Sequence, residues 1–313
     1  MTTNGASDAR VIVVGSANTD TVFSVDRAPR PGETVLAGAA AEHPGGKGLN
    51  QAVAAARAGA RVAFVGALGR DERGDALESV MAADMIDSTL VRRTEHPTGQ
   101  AFIVVDASGE NSIVVASGAN ATVTALTDAD GRAIRAARVL VLQLELPLAA
   151  VEAAARVASA AGTLVVLNAA PAMALGPDTL ESVDVLVVNE HEALVVSGLD
   201  DLDRAVAALS ARVRRLVVTL GSAGSVLVDS GVEVARIAAH RVSVVDSTGA
   251  GDTFCGAFAA ALAEADVTPQ LDVSPLDLER AARFATVAAA LSVTVAGAVP
   301  SIPARADILE AMS

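Results

Sequence analysis

Six short runs dominate the chain: residues 10–15, 61–66, 139–144, 164–168, 185–189 and 216–220, each built mainly of Val, Leu, Ile and Ala. They lack the polar alternation of a half-exposed strand. A run apolar on both faces suits a parallel strand covered by helices above and below. Between the runs lie segments of helical length, at 72–83, 148–161, 190–197, 202–212, 251–265 and 276–294. Strand and helix alternation of this kind predicts an α/β fold, a doubly wound and mostly parallel sheet. With 52% hydrophobic but only 2% aromatic residues, its core must be built from Ala, Val and Leu at close range.

Two stretches break the rhythm. Residues 21–25 and 33–38 look like extended pieces around the turn Pro29-Arg30-Pro31-Gly32. Residues 100–106 and 112–115 look like another pair around 107–111. These read as antiparallel insertions, about 19–42 and 98–116, that build one small β lid over the ligand face. The rest, residues 10–313, reads as a single domain behind a flexible N-terminus at 1–9. Neither a long linker nor a repeat period is visible in the sequence.

In open α/β sheets, ligands bind at the carboxyl ends of the strands. Polar residues gather there: Asn18 and Asp20 after the first run, Glu145, Asn189 with Glu192, and Thr219, Gly221, Ser222 and Gly224. Each alone could be a turn or cap residue, but together they outline one crevice. Two glycine turns feed helices beside it. Gly45-Gly46-Lys47-Gly48-Leu49-Asn50-Gln51 carries the sole lysine among 23 lysines and arginines, a compact cation suited to a phosphate or a sugar hydroxyl. Asp246-Ser247-Thr248-Gly249-Ala250-Gly251-Asp252 stands between a strand-like stretch, 241–245, and a helix. Free N–H groups at a helix start attract anions. A carboxylate there, Asp252, is suited to moving a proton beside a phosphate.

Several classes are excluded or disfavoured. A net charge of −14 opposes non-specific nucleic-acid binding and anionic membrane surfaces. No apolar run reaches the ~18–20 residues of a membrane span, and the polar start Met1-Thr2-Thr3-Asn4 lacks a signal-peptide core, so a cytoplasmic setting is expected. One cysteine, Cys255, rules out an internal disulfide. His43, His96, His191 and His240 lack metal-ligand spacing. The dinucleotide fingerprint, the Walker A loop and the Gly-x-Ser-x-Gly elbow are all absent.

Taken together, these motifs in this order resemble the ribokinase-like (PfkB) sugar kinases over roughly residues 10–303. The resemblance implies an ATP-dependent kinase that phosphorylates the primary 5-hydroxyl of a pentose, with D-ribose as the first expectation. Asp252 would be the base, and Gly249, Ala250 and Gly251 the anion hole. Asn18, Asp20, Gly46, Lys47, Asn50, Glu145 and Asp252 would hold the sugar. Asn189, Thr219, Gly221, Ser222, Gly224 and Gly251 would line the nucleotide site, and Glu192 would act on Mg²⁺ through water. A K⁺ site would use Asp246, Thr248, Ser292, Val295, Gly297 and Ser301. The family also implies a homodimer through the lid. Thr286 falls where the family contacts adenine, but at a variable position. The segment between Ala263 and Leu278 is longer than usual, and the cation loop reads Val295-Ala296 in place of basic residues. Another sugar, a nucleoside, or a non-catalytic sugar-binding role remain the alternatives.

Overall fold

A computed structural model of the chain describes residues 10–107, 111–264 and 273–313. The expected N-terminal tail, the tip of the 107–111 turn and most of the long segment after Ala263 lie outside the described residues. One sheet has the order β13-β12-β11-β10-β9-β8-β1-β4-β5. Its strands are β1 (Val11–Val14), β4 (Val62–Gly69), β5 (Asp87–Thr94), β8 (Val139–Leu142), β9 (Leu164–Asn168), β10 (Val185–Asn189), β11 (Arg215–Thr219), β12 (Ser225–Asp229) and β13 (Val232–Ile237). All neighbours pair in parallel except β11 with β12 and β12 with β13.

The apolar runs are sandwiched as expected. Along β1, Val11 and Val13 enter the core on one face, while Ile12 and Val14 enter the core on the other. The first face is covered by α1 (Lys47–Arg57), α8 (Ala250–Glu264) and α9 (Pro275–Ser292). The second is covered by α4 (Leu148–Ala161), α6 (Glu190–Ser197), α7 (Leu202–Ser210) and the helix α3 (Asp128–Ala136).

Small side chains set the spacing between α1 and α8. A Cβ on Gly256 would lie 2.3 Å from the Gln51 carbonyl oxygen and 2.5 Å from Ala54 Cβ. The glycine therefore lets α8 press against α1, which brings the start of each helix to the same point. Gly46, with φ of 88°, turns the chain into α1; a side chain there would strike the Asn18 nitrogen at 2.8 Å.

The second sheet has the order β3-β2-β6-β7, from β2 (Asn18–Ser24), β3 (Ala39–Gly45), β6 (Gly99–Val105) and β7 (Asn111–Ala116). It draws on both insertions, as expected. Two details of the sequence reading are corrected. The sheet is not wholly antiparallel, because β2 and β6 pair in parallel. The strand returning to β2 is residues 39–45 rather than 33–38, since the latter lie in coil and bend. The strand-like stretch before Asp246 is also corrected. Residues 241–245 join neither sheet, and Val244 and Val245 are two-thirds exposed. That segment is anchored where the N–H groups of Val245 and Asp246 both donate to the Val293 carbonyl, at 2.8 and 3.1 Å.

Candidate active site

Five neighbouring strands, β11, β10, β9, β8 and β1, deliver their carboxyl ends to one rim. Thr219, Asn189 and Asn168 end their own strands, Gln143 and Glu145 follow β8, and Asn18 follows β1 through Gly15-Ser16-Ala17. The helices α1 and α8 add Lys47, Asn50 and Asp252. Lys47, Asn189, Glu192, Thr219, Gly249, Gly251 and Asp252 line a cavity of ≈ 210 Å³. An adjoining cavity of ≈ 650 Å³ shares Lys47 and Glu192, and is walled by Glu145 and by Ile113 and Val115 of β7.

Asp252 stands in the first turn of α8 and is 7% exposed. One carboxylate oxygen accepts Asn50 Nδ2 at 3.0 Å and the other accepts Gln51 Nε2 at 2.9 Å. Its charge holds the Lys47 ammonium above its ordinary range against the opposing pull of burial, with help from Glu145 and Glu192. Asp20 shows the reverse balance. Burial, then the charges of Glu145 and Asp252, push its carboxyl up to about 7, and Lys47 only partly offsets them. Like charges crowded near one cation behave this way. Asp20 Oδ1 and Asn50 Oδ1 are buried with no hydrogen-bond partner among the described residues. Buried acceptors of this kind call for hydrogen-bond donors.

Glu145 is fixed by this fold as well as presented by it. Its Oε2 accepts Ser16 Oγ at 2.5 Å and the Lys47 N–H at 3.1 Å. Asp20 demands a glycine opposite it, because a Cβ at Gly45 would lie 2.0 Å from Asp20 Oδ2. On the other side of the rim, Asn189 and Glu192 cap α6 reciprocally. Asn189 Oδ1 accepts the Glu192 N–H and Glu192 Oε2 accepts the Asn189 N–H, both at 2.8 Å. This leaves Glu192 Oε1 for the cavity, with burial raising the carboxyl despite the Asn189 bond and Lys47. Gly221, Ser222 and Gly224 form the tight turn after Thr219, closed by the Leu220 N–H on the Gly224 carbonyl at 2.7 Å. Gly224, at φ 97°, has no room for a side chain, since its Cβ would be 1.9 Å from the Ile237 oxygen.

Asp246 joins the glycine turn to the loop after α9. Its Oδ1 accepts the Thr248 N–H at 2.9 Å and its Oδ2 the Gly297 N–H at 2.8 Å. Burial raises this carboxyl, but those bonds and nearby His43 outweigh it and hold it low. Gly249, at φ 77°, rests on Ala298, whose Cβ is 3.0 Å from where a glycine Cβ would stand. Buried Ser292 and Ser301 each donate to a carbonyl of their own helical turn, Ala289 and Ala298. Val295 is half exposed.

The profile of the pfkB family carbohydrate kinases matches residues 8–305. The chain belongs to this family. The kinase is 40% identical to ribokinase from Haemophilus influenzae over 95% of this chain and 96% of that one. It is 36% identical to the Bacillus subtilis ribokinase, covering 97% and 99%. The structure of Arabidopsis thaliana ribokinase complexed with ribose and ATP superposes with a TM-score of 0.87 at 33% identity, over 97% and 99% of the two chains.

Four polar residues of this family member carry the site without having been singled out in the sequence. Ser16 bridges Glu145 and the Gly48 N–H. Asn120 accepts the Ala17 N–H at 3.1 Å, which fixes its amide direction, and then donates Nδ2 to Asn18 Oδ1 at 2.8 Å. The Asn18 amide therefore turns its own NH₂ away from Asn120. Gln51 and Gln143 extend from Asp252 into the interior. Thr286, set aside in the sequence as variable, lines a ≈ 320 Å³ cleft with His240, Arg283 and Met312, and its Oγ1 has no hydrogen-bond partner among the described residues.

Proposed function

We propose that this protein transfers the γ-phosphate of ATP to the primary 5-hydroxyl of a pentose, D-ribose first, giving ribose 5-phosphate. One observation carries the proposal. Asp252 is a buried carboxylate at the N-terminal turn of α8, with Lys47 beside it and two acceptors unpaired among the described residues, Asp20 Oδ1 and Asn50 Oδ1, within the same site. Relatives named ribokinase over nearly the full chain support it.

Asn18, Asp20, Gly46, Lys47, Asn50 and Glu145 would hold the sugar. Asp252 would take the proton of the hydroxyl as it attacks. The N–H groups of Gly249, Ala250 and Gly251 and the α8 dipole would stabilise the charge on the moving phosphoryl group. Asn189, Thr219, Gly221, Ser222 and Gly224 would line the nucleotide, with Thr286 near its base. Closure of the lid sheet would exclude water.

Two ions fit the residues present. Among the described residues no three His, Cys, Asp or Glu side chains converge as a metal site. Mg²⁺, which keeps several waters and leans on substrate phosphates, would be held through a bound water by the free oxygen of Glu192 and would supply charge neutralisation to those phosphates. K⁺ would suit the all-oxygen set of Asp246, Thr248, Ser292, Gly297, Ser301 and the Val295 carbonyl, and would stiffen the turn that shapes the anion hole. Activity at equal ionic strength should be markedly higher in potassium than in tetramethylammonium. Equal rates would remove the potassium assignment.

Asp20 gives a pH signature. Its carboxyl is pushed up to about 7 from an ordinary 3.8, so the protonated form stabilises the fold at low pH and that contribution is lost as pH rises from about 3.8 through about 7. Sugar hydroxyls donating to Asp20 favour the ionised form. Ribose affinity without nucleotide should therefore fall about tenfold from pH 8 to pH 6, measured by calorimetry. Asp20→Asn should flatten that slope, and a flat wild-type profile would contradict the assignment.

A homodimer through the lid is supported by β7, an edge strand exposed along its whole length that presents Ile113, Val114 and Val115. Sedimentation showing a monomer at micromolar concentration would exclude it. A panel of ribose, deoxyribose, fructose and nucleosides with ATP tests the substrate. Turnover of nucleosides above pentoses would overturn the ribose reading, and binding without product would favour a non-catalytic role.

A further inference from the structure

Gln51 is fully buried and lines neither cavity, yet its amide is completely used. Its two N–H bonds go to Asp252 Oδ1 at 2.9 Å and Asn168 Oδ1 at 3.1 Å. Its Oε1 accepts Gln143 Nε2 at 2.7 Å. The partners fix the direction. A reversed amide would aim Oε1 at a carboxylate and at Asn168 Oδ1, and its NH₂ at the NH₂ of Gln143. Asn168 is itself oriented by donating Nδ2 to the Val187 carbonyl at 3.4 Å. A directed chain of amides thus runs from the end of β8, through α1, to the first turn of α8.

We infer that Gln51, held by Gln143, is a positioning residue that orients the Asp252 carboxylate for proton abstraction. This rests on the reading of Asp252 as the base. Asn50 donates to one oxygen of the carboxylate and Gln51 donates to the other. With both donors in place the carboxylate plane cannot swing, so a remaining lone pair stays aimed at one position. Such preorganisation from a locked supporting shell commonly separates an active site from a merely assembled one. The charged and titratable groups around Asp252 are Lys47, Asp20, Glu192 and Cys255. Among the described residues none of these donates to Oδ1, as Gln51 does.

The test uses Gln51→Met, which keeps length and volume but cannot donate. We expect kcat to fall about 10- to 100-fold, with the KM for ribose and for ATP within about twofold. The acid limb of the kcat profile should move to higher pH, because a donor to the ionised carboxylate has been lost. A structural role alone would not move that limb. Gln143→Met, which removes only the support of Gln51, should shift both readouts in the same direction by less, and carries the test if Gln51→Met does not fold. Unchanged kcat and pH limb, or a rise in ribose KM alone, would overturn the inference. Wild type is run in the same assay. An inert wild type would instead overturn the kinase reading on which the inference rests.

Discussion

Asp252→Asn should fold, bind ribose and lose at least ~10²-fold in kcat. The asparagine keeps the shape of the side chain but cannot accept a proton from the sugar. It also presents an NH₂ to one of two donors, Asn50 Nδ2 or Gln51 Nε2. That mismatch costs about 1–3 kcal/mol, within the ~5–15 kcal/mol stability of ordinary domains. The loss should fall on kcat and spare the KM for ribose, because the proton moves only as the phosphoryl group is transferred. Steady-state kinetics together with a thermal melt checks it. A variant with near-wild-type turnover would remove Asp252 from the base role.

The second large effect is expected at Lys47. Its ammonium stands among the carboxylates Asp20, Glu145 and Asp252 and is coupled to all three. Lys47→Met should raise the KM for ribose about 10- to 100-fold, the worth of a charged hydrogen bond. It should also push the pH range of tight sugar binding upward, because Lys47 is what draws the Asp20 carboxyl down. Lys47→Arg should not restore affinity. A planar guanidinium is no substitute for a compact ammonium at the start of α1. Ribose titrations of the three proteins between pH 6 and 9 decide the matter. An unchanged KM in the methionine variant would contradict the sugar-site assignment.

What was legible in the sequence follows physical lines. Strands buried on both faces announce themselves by composition, so β9 and β10 fall at 164–168 and 185–189 as expected. The glycine turns were legible because only glycine tolerates the φ of Gly46 and the close approaches at Gly45. Residues 241–245 misled, since alternating valines look like a strand whether or not a neighbour pairs with them; here they lie exposed beside Val293. The β12–β13 hairpin was missed because it turns on Ser230-Gly231, with φ of 51° and 80°, in place of an Asn-Gly or Asp-Gly signal. The parallel β2–β6 pair could not be inferred locally, because its strands lie far apart in the chain.

The site divides in the same way. Lys47, Asp252 and the strand-end rim were legible because their residue types are unusual where they stand. Gln51, Gln143, Asn120 and Ser16 were not. Their partners are Asp252, Gln51, Asn18 and Glu145, up to 201 residues away. A buried amide in a helix gives no sequence signal of which carboxylate it holds. The turn at 246–252 also gained a division of labour. Asp252 faces the cavity, whereas Asp246 spends its oxygens on Thr248 and Gly297.

The most direct test of the central claim is the product itself. Ribose, ATP and magnesium incubated with the wild-type protein in potassium buffer should give one new phosphomonoester in the ³¹P NMR spectrum, coupled to the C5 protons of the sugar. Phosphate on C1 or another carbon, inorganic phosphate alone, or no turnover at all would contradict it.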